Sequence, residues 1–412
     1  MPLNNLIEEY IILSEDESIN EFIEKNEHLN IAQLALDLSN RKNTEKTYIL
    51  NQVNGLQKSR IKFPALLYTK GLIYPEDISI QQASSEHTAK FKFSTFHGNL
   101  AVDLTGGFGI DSIYLSHRFK EIYSIEPSEK LHKIQLHNLK RLNLTNITCI
   151  HQRAEEYLQT FEERADLIYV DPSRRSDAGR LLQPSDFSPN PIALLEELKI
   201  KTKRLFIKFS PSSDITSLMR LFPDCNEIKV ISVKNECKEV LILYDDSSTV
   251  SLKLSCTEIT SSGNKHFDFD FNEELNANST FSNALTYVYL PMTSITKAGA
   301  FKCVGERFGL GKISANTHVY TSDQLIGDFP GRTFKVFKEI PFNGKSLKRE
   351  YQDKGFNIIT RNFPYQPQQV AKKLGIDEYG VNHLIAFRNN SEKTTMLVCS
   401  LLNSPIKNEF ST

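Results

Sequence analysis

The spacing of apolar positions changes along the chain, and each change predicts a different kind of structure. From residue 3 to about 63, apolar residues recur at helical spacing without strand-like alternation, which predicts a set of short helices. One more helix is predicted over about 79–92. Between 100 and 245, short apolar runs alternate with amphipathic segments, a pattern typical of βαβ units and a parallel sheet.

Seven short apolar runs in this central region are predicted strands. They are NLAVDL, EIYSIE, NITCIH, DLIYVD, RLFIKF, EIKVISV and EVLILYD. Only KNECK separates the last two, which is too short for the crossover helix that joins parallel strands. We therefore expect them to form an antiparallel hairpin at the edge of the sheet. Five parallel strands closed by such a hairpin resemble the class I methyltransferase fold.

The region after residue 248 is predicted to form two small α+β domains. The first contains the predicted strands SLKLSC, FDFDF and TYVYLP and one predicted helix, ITKAGAFKCVGERFG. A Pro-Gly turn at 330–331 begins the second. In it, RTFKVFKEI and LVCSLL are predicted strands around a helix near 366–374.

The predicted fold class is therefore α/β, a doubly wound Rossmann-like core with additions at both ends. The predicted domains are a helical N-terminal region over 1–78, the core over 79–247, and the two small domains over 248–332 and 333–412.

Composition places the chain among ordinary globular proteins, but its charge is uneven. Of 412 residues, 40% are hydrophobic and 24% are charged, with a net charge of −1. Residues 1–90 carry 9 Lys and Arg against 13 Asp and Glu, whereas residues 331–412 carry 13 against 7. A basic C-terminal region favours a polyanionic partner, and a plain solvated surface explains the same balance equally well.

The cysteines and the apolar segments indicate a cellular compartment. The six cysteines are scattered without a CxxC pair, so we expect neither a disulfide framework nor a metal site. The N-terminus lacks the basic region and cleavage site of a signal peptide, and no apolar stretch is long enough to cross a membrane. The sequence thus predicts a cytoplasmic protein with no metal and no membrane partner.

The strongest candidate ligand site is VDLTGGFGID, 102–111, at a predicted strand-to-helix turn. Gly106, Gly107 and Gly109 allow the backbone to approach a ligand, and the following helix offers free N–H groups. Glu126 ends the next strand, where a carboxylate can accept both hydroxyls of a ribose. Such a pair serves NAD and S-adenosylmethionine equally, and a tight turn with a surface glutamate is the structural alternative.

Two neighbours of these glycines are also candidate cofactor-binding residues. Thr105 belongs to the same turn. Asp103, at the end of the first strand, either contacts the ammonium or sulfonium side of a methyl donor or caps the strand as a buried structural group.

The fourth strand ends in DLIYVDPSRR, which distinguishes between the two cofactors. Asp171-Pro172 lies at the carboxyl edge of the predicted sheet and resembles methyltransferase motif IV, which faces the methyl donor. Methyltransferases that act on amines typically carry Asp or Asn followed by Pro, Pro and an aromatic residue at this motif. Here Ser173 replaces the second Pro and the aromatic residue is missing, so exocyclic base amines are disfavoured as methyl acceptors. Arg174 and Arg175 suit a phosphate or carboxylate substrate, with a solvated turn as the alternative.

The segment after the third strand, HQRAEEYL, corresponds to the adenine-contact region of methyltransferases. Its small-residue turn is centred on Ala154. Arg153 stands where an Asp commonly binds the adenine amine, so backbone groups or Glu155 are the candidates for that contact.

A second group of residues resembles the Lys-Asp-Lys-Glu tetrad of some RNA ribose 2′-O-methyltransferases. Lys92, Asp171, Lys208 and Glu239 occupy the corresponding positions, on the helix before the core and on strands four, five and seven. A desolvated lysine flanked by carboxylates can have its pKa lowered and take a hydroxyl proton. Lys92 precedes Asp103 by only 11 residues, closer than in that group, so chance placement is the alternative.

Taken together, the motifs resemble a family of uncharacterised bacterial class I methyltransferases with a THUMP-like C-terminal domain. The motifs that carry this resemblance are SSEHTAKFK, DLTGGFGID, DPSRR followed by GR, IKFSP, NECKE, KAGAFKCVGERFG, HVYTSDQLIGDFPGR and RNFP, over about 63–401. The resemblance implies a helical N-terminal part, a methyltransferase core that uses S-adenosylmethionine, a ferredoxin-like domain and the THUMP-like end.

The resemblance also implies a function, because THUMP domains are generally RNA-binding modules of tRNA- and rRNA-modifying enzymes. We therefore expect an S-adenosylmethionine-dependent methyltransferase that acts in RNA modification. The alternatives are methylation of a small molecule, protein or DNA, and a non-catalytic protein that binds S-adenosylmethionine or RNA. The candidate RNA contacts are Arg332, Lys335, Lys348, Arg349 and Arg361.

Overall fold

A computed structural model describes residues 3–174, 186–248, 252–343 and 355–402. The chain forms two compact units, the first comprising 1–228 and 239–250 and the second comprising 229–238 and 251–412.

Helices form the N-terminal part of the first unit, as predicted, although the fourth, with 20 residues, is longer than the short helices expected. They are α1 (Leu3–Glu15), α2 (Glu17–Asn26), α3 (Ile31–Asp37) and α4 (Asn43–Lys62), followed by a 3-10 helix, Pro64–Tyr68. Asp16 and Asn30 begin α2 and α3 as N-caps, because their side-chain oxygens accept the N–H groups that the first turn leaves free.

The helix predicted over 79–92 is two helices, α5 (Asp77–Gln82) and α6 (Glu86–Phe93). Ala83 adopts an extended conformation that ends α5. Ser85 then caps α6, because its hydroxyl accepts the N–H of Thr88. A serine pair favours such an interruption because its hydroxyls compete for backbone hydrogen bonds.

The sheet of the first unit has the predicted five parallel strands. They are β1 (Gly98–Asp103), β2 (Phe119–Ile125), β3 (Ile147–Ile150), β4 (Leu167–Val170) and β7 (Arg204–Phe209), in the spatial order β3-β2-β1-β4-β7. Val102, Ile168 and Phe206 are fully buried in it. Burial on both faces explains why these strands are continuous apolar runs rather than alternating ones.

Helices connect these strands, and a short antiparallel pair interrupts one connection. The connecting helices are α7 (Ile110–Ser116), α8 (Glu129–Arg141), α9 (Ala154–Thr160) and α10 (Leu195–Lys201), and α11 (Ile215–Leu221) follows β7. The pair is β5 (Ser173–Arg174) with β6 (Phe187–Ser188).

The predicted hairpin is present but does not end the sheet. Lys234 and Asn235 join β8 (Glu227–Val233) to β9 (Glu236–Asp245), and both have positive φ, as a two-residue hairpin turn requires. β9 pairs antiparallel with β7. The expected edge position is wrong for β8, because β10 (Lys253–Ile259) hydrogen-bonds to it and is followed by β11 (Lys265–Asp270).

The second unit contains a seven-stranded sheet in the order β13-β14-β12-β15-β18-β17-β16. Its strands are β12 (Tyr287–Pro291), β13 (Gly311–Ser314), β14 (Thr317–Ser322), β15 (Gly331–Pro341), β16 (Phe356–Arg361), β17 (Asn382–Arg388) and β18 (Thr394–Leu401). Its helices are α12 (Phe271–Asn276), α13 (Thr293–Ala298), α14 (Cys303–Arg307) and α15 (Pro367–Leu374).

One predicted helix of this unit is broken in two. The segment 295–309 forms α13 and α14, because Gly299 after α13 has a φ of +86°, which ends the helix in a left-handed conformation.

The two small domains expected from the sequence share this sheet. β12 pairs antiparallel with β15, with Val288 opposite Phe334, so a strand from each predicted domain meets in the middle. One face of the sheet packs against Val370 and Leu374 of α15. The predicted boundary between residues 332 and 333 stays a prediction.

Within the described ranges, no helix is long and apolar enough to cross a membrane. The same residues contain no cluster of three or more His, Cys, Asp and Glu side chains that could hold a metal ion. All six cysteines fall in these ranges, and none forms a disulfide bond.

Candidate active site

The glycines after β1 shape a loop that leaves open space above the sheet. A side chain at Gly106 would place its Cβ 2.5 Å from Ser124 Oγ on β2, so only glycine allows the loop to pack this closely. Gly107 has a φ of +54°, and the nearest atom to a Cβ there would be 3.7 Å away. Gly106 therefore allows the loop to pack against β2, while Gly107 leaves room for a ligand.

Glu126 follows β2 and faces the same loop. Its Oε2 accepts a hydrogen bond from the Gly107 N–H at 2.8 Å, and its Oε1 accepts one from the Ser128 N–H at 2.7 Å. Burial raises the pKa of Glu126, although the two N–H donors act in the opposite direction. Each carboxylate oxygen keeps a further lone pair, so Glu126 can also accept ligand hydroxyls.

Asp103 lies at the end of β1, beneath the loop, and is fully buried. Its Oδ1 accepts from the Thr105 N–H at 3.0 Å, and its Oδ2 accepts from Ser112 Oγ at 2.6 Å. Desolvation raises its pKa to about 7. These contacts fit the structural alternative, a buried cap that holds the loop to α7.

Replacing Asp103 by Asn is expected to change the pH dependence of stability. Because the folded-state pKa of about 7 lies above the ordinary 3.8, the folded state binds this proton more tightly, and stability falls as pH rises from about 4 to about 7. Between about pH 5 and about pH 7.5, this loss amounts to about 2–3 kcal/mol. Hydrogen exchange of peptides from β1 and α7, read by mass spectrometry in both proteins at the two pH values and corrected for intrinsic exchange rates, measures it. Parallel losses in wild type and Asp103→Asn would contradict the assignment.

A cavity of about 330 Å³ lies at the carboxyl ends of β1, β2 and β4. Eight of the nine predicted cofactor-binding residues line it: Thr105, Gly106, Gly107, Gly109, Glu126, Ala154, Glu155 and Asp171. Asp103 is not among the described residues that line the cavity. Arg153 also lines it, with its Nε 3.7 Å from Glu155 Oε2.

Asp171 connects this cavity to a charged group from the neighbouring strand. Its backbone N–H donates to Thr105 Oγ1 at 2.7 Å, and its carboxylate forms an ion pair with Lys208 of β7. Burial raises the pKa of Asp171, against the effect of the lysine.

The pKa of Lys208 is shifted in the direction opposite to the one expected for a tetrad lysine. Burial alone would lower it, but the charges of Asp171 and Glu239 outweigh burial and raise the pKa above its ordinary value. The raised pKa favours the ammonium form of Lys208 at neutral pH.

Lys92 is the centre of a buried polar cluster behind the cavity, and none of its side chain is exposed. Its Nζ donates to Ser84 Oγ at 2.7 Å and to Tyr169 OH at 2.8 Å. The same atom lies 2.8 Å from Asp111 Oδ1 and 3.4 Å from Glu239 Oε2. Two carboxylates and two hydroxyls thus surround one buried ammonium group.

Ser84 joins this cluster to the Asp171–Lys208 pair. Its hydroxyl accepts from Lys92 and from Lys208, the latter at 3.1 Å, and donates to Asp111 Oδ2 at 3.0 Å. Burial alone would raise the pKa of Asp111, but the charges of the two lysines lower it. The four tetrad residues are therefore connected, in two ion pairs bridged by Ser84.

Three members of this network were not predicted as site residues. Ser84, Asp111 and Tyr169 lie in motifs quoted above, but these motifs are distant in sequence and only the fold brings them together. Of the tetrad, only Asp171 is among the described residues that line the cavity, and the catalytic roles of all four stay predictions.

The remaining candidates lie partly outside the described residues. Ser173 Oγ donates to the Ser188 carbonyl at 3.1 Å, which joins β5 to β6. The side chain of Arg174 and the whole of Arg175 lie outside the described residues, as do Lys348 and Arg349. Lys335 is exposed on β15, and Arg332 and Arg361 line a separate cleft in the second unit.

The sheet order and the cavity at the carboxyl ends of its strands define a class I methyltransferase fold. The family models of a ferredoxin-like domain and of a THUMP domain-like unit match residues 287–330 and 331–401. These matches, together with the structural similarity described next, confirm the resemblance found in the sequence.

A solved structure similar over nearly the whole chain is that of a putative methyltransferase from Porphyromonas gingivalis W83. It is 26% identical, with a TM-score of 0.82, over 94% of this chain and 98% of that one. A putative methyltransferase from Streptococcus mutans in complex with SAH is 18% identical, with a TM-score of 0.30, over 38% of this chain and 94% of that one. M. capricolum TrmK in complex with SAH is 17% identical, with a TM-score of 0.30, over 40% of this chain and 70% of that one. No curated protein matches the chain.

Proposed function

We propose that this protein is an S-adenosylmethionine-dependent methyltransferase whose methyl acceptor is RNA, either tRNA or rRNA. The observation that carries the proposal is the position of Glu126 beside the open space at Gly107, with Asp171 on the other side of the same cavity. A carboxylate at the second strand faces ribose hydroxyls, and Asp171-Pro172 at the fourth faces the reacting group.

The groups that line the cavity suit the ribose and adenine of this cofactor. Glu126 has free lone pairs for the two ribose hydroxyls, and the loop at Gly107 allows close approach of the backbone. Ala154 and Glu155 line the same cavity at the start of α9, and we assign them the adenine contact. When bound, the cofactor supplies an electrophilic methyl group on a sulfonium.

On the acceptor side, we assign the reacting contact to Asp171. Its carboxylate can accept the proton of an acceptor hydroxyl or amine, because burial raises its pKa toward that of a useful base. Lys208 keeps the carboxylate oriented as a charged partner. We assign Lys92 and Glu239 a positioning role, since the buried Lys92 ammonium is enclosed by protein groups.

The assignment to RNA is supported by the THUMP domain-like match over residues 331–401 and by the basic balance of that region. We propose that the second unit binds the RNA by its phosphate backbone and that the cavity of the first unit performs the methylation. The domain boundaries at 78, 247 and 332 stay proposals that rest on the sequence pattern alone.

The cofactor assignment is tested by calorimetry on the purified full chain. We expect micromolar binding of S-adenosylmethionine and of its demethylated product, and no measurable binding of NAD. Binding of NAD without the methyl donor would overturn the assignment, because the glycine loop and Glu126 suit both cofactors.

Replacing Gly107 by Val is expected to abolish S-adenosylmethionine binding, with at least about a hundredfold loss of affinity, or about 2.7 kcal/mol. Its side chain would project into the cavity, and a φ of +54° strains a β-branched residue by about 1–2 kcal/mol. Gly309→Val is the matched control, because Gly309 has a φ of +61° and equally open space but lies in the second unit. Equal cofactor affinity in both variants would contradict the placement of the ligand.

The acceptor is tested by labelled-methyl transfer into total RNA from a strain that lacks the gene, followed by identification of the modified nucleoside. We expect label in the tRNA or rRNA fraction and none in RNA from the parent strain, whose sites are already methylated. Transfer into protein, DNA or small molecules alone would move the acceptor to that class. Cofactor binding without transfer to any pool would favour a non-catalytic binding protein.

A further inference from the structure

The second unit contains a cleft of about 790 Å³ that the catalytic proposal does not use. Its lining is dominated by arginine, amide and backbone groups and includes one aromatic ring. Among the residues that line it are Asn235, Arg332, Arg361, Asn362, Phe363 and Arg388.

Three of the motifs quoted from the sequence converge on this cleft. NECKE contributes Asn235, the motif that ends in FPGR contributes Arg332, and RNFP contributes the loop that begins at Arg361. They come from the β8–β9 turn, the start of β15 and the end of β16. Segments about thirty to a hundred residues apart in sequence are thus brought to one concave surface.

Arg332 is mostly buried and incompletely satisfied. Its Nε is buried and has no hydrogen-bond partner among the described residues. Burial and the nearby charge of Arg361 lower the pKa of its guanidinium group, and Glu258 acts in the opposite direction. The Glu258 carboxylate already accepts from Ser232 Oγ and from the Asn235 N–H.

Arg361 is in a similar environment. Burial lowers its pKa, and its Nη1 donates to the Thr360 carbonyl at 2.9 Å. Within the described part of the chain, no carboxylate forms an ion pair with Arg332 or Arg361. A third guanidinium group, on Arg388, lies 3.5 Å from Glu392 and is more exposed. Glu258 offsets part of the charge on Arg332 without forming an ion pair with it. Two partly desolvated guanidinium groups therefore have donors available to an anion bound in the cleft.

We propose that this cleft binds a phosphate group of single-stranded RNA, with Arg332 and Arg361 as its two principal ligands. A guanidinium fork matches the geometry of phosphate oxygens and forms charge-assisted hydrogen bonds. Phe363 also lines the cleft, with its ring partly buried against Phe342 and Tyr365. We assign the open part of this ring to stacking with an adjacent base. The identification of the anion as RNA rests on the proposed function. The anion site itself rests on the two arginines.

The contribution of each arginine is tested by fluorescence anisotropy of a labelled single-stranded RNA titrated with the full chain. Arg332→Gln and Arg361→Gln are each expected to weaken binding about tenfold at low salt. The slope of log affinity against log salt should fall by about 0.7 for each lost phosphate contact. Lys372→Gln is the matched control, because it removes one positive charge from an exposed position on α15 outside the cleft. Its effect should stay below about twofold.

A second measurement uses the wild-type protein, because Arg332 is buried enough that its loss can affect folding. Phenylglyoxal modifies accessible arginines, and mass spectrometry locates the products. We expect the labelled RNA and, at higher concentration, AMP and inorganic phosphate to protect Arg332 and Arg361 relative to Arg220, an arginine of the first unit. If RNA protects the two arginines and neither free phosphate nor AMP does, the phosphate that the cleft binds belongs to a nucleic acid.

The outcomes separate this inference from the proposed function. If RNA binds the intact chain but both glutamine variants bind like wild type, the cleft assignment is wrong and the RNA function stands. If phosphate or AMP protects the two arginines but RNA does not bind, the anion site stands and the RNA function fails. If no phosphate compound protects either arginine, the site is refuted.

Discussion

Replacing Asp171 by Asn is expected to lower the rate of methyl transfer by about 100- to 10,000-fold, the range of a lost acid–base group. The dissociation constant for S-adenosylmethionine should change less than about tenfold, or about 1.4 kcal/mol. The reason is geometric, because Asp171 lies at the end of β4 while Glu126 and the glycine loop provide the cofactor contacts. Single-turnover kinetics with labelled cofactor and calorimetry on the same preparation measure the two effects separately.

The Asn variant is preferable to Ala because of the neighbouring charge. Asp171→Ala would leave the buried Lys208 ammonium without its ion-pair partner, and a fold defect would be confused with a catalytic one. Asp171→Asn keeps the backbone contact to Thr105 and the side-chain volume. The double variant Asp171→Asn with Lys208→Met then tests whether the remaining charge, rather than the missing carboxylate, causes any loss of cofactor affinity.

A parallel loss of cofactor affinity and rate in both the single and the double variant would show that Asp171 supports the cofactor or the fold instead. An unchanged rate would remove Asp171 from the chemistry altogether. A rate that falls with pH below the pKa of an essential carboxylate in wild type, and not in Asp171→Asn, would support its role as the proton acceptor.

The parallel core and the convergence of the glycine loop, Glu126 and Asp171 on one cavity were predictable from the sequence because both depend on local signals. Continuous apolar runs identify strands buried on both faces, and in a parallel sheet the residues that follow such strands meet at one edge. This reasoning placed Gly107, Glu126 and Asp171 together, and the structure confirms that they line one cavity. Asp103 is not among the described residues that line this cavity, because its carboxylate accepts from Ser112 and the loop backbone. A cofactor contact by Asp103 stays a prediction.

Features that depend on distant contacts were not predictable in this way. The continuation of the sheet by β10 depends on pairing with β8 rather than on a local pattern. β13 and β14 are short strands joined by a tight turn, and their sequences carry no long apolar run. Ser84 has an ordinary sequence context for a helix cap, and its bridging role follows only from the convergence of Lys92, Lys208 and Asp111.

The shared sheet of the second unit also changes the design of RNA-binding experiments. Deleting residues from 333 onward looks like the removal of a separate domain when only the sequence is considered. The structure shows that β15 pairs with β12 along Tyr287–Pro291, so this deletion would expose the edge of a central strand. Substitutions in the cleft are therefore a cleaner test than truncation.

The largest expected effect on stability is that of Lys92→Met. The change leaves the Asp111 and Glu239 carboxylates buried without the ammonium group that pairs with both. Removing one partner from a buried ion pair costs about 3–5 kcal/mol, because the remaining charge is uncompensated. Lys25→Met is the control, since the side chains of Lys25 and Glu21 are 77% and 61% exposed and such a pair contributes about 0.3–0.5 kcal/mol.

Hydrogen exchange read by mass spectrometry on peptides of α6, α7 and β9 measures this effect locally, which is needed because two units do not unfold as a single two-state system. The triple variant Lys92→Met, Asp111→Asn and Glu239→Gln should recover at least half of the lost protection, because it removes the unpaired charges while keeping similar volumes. A loss no larger than that of Lys25→Met would show that the two carboxylates become protonated without cost. Failure of the triple variant to recover protection would instead locate the contribution of Lys92 in its hydrogen bonds to Ser84 and Tyr169.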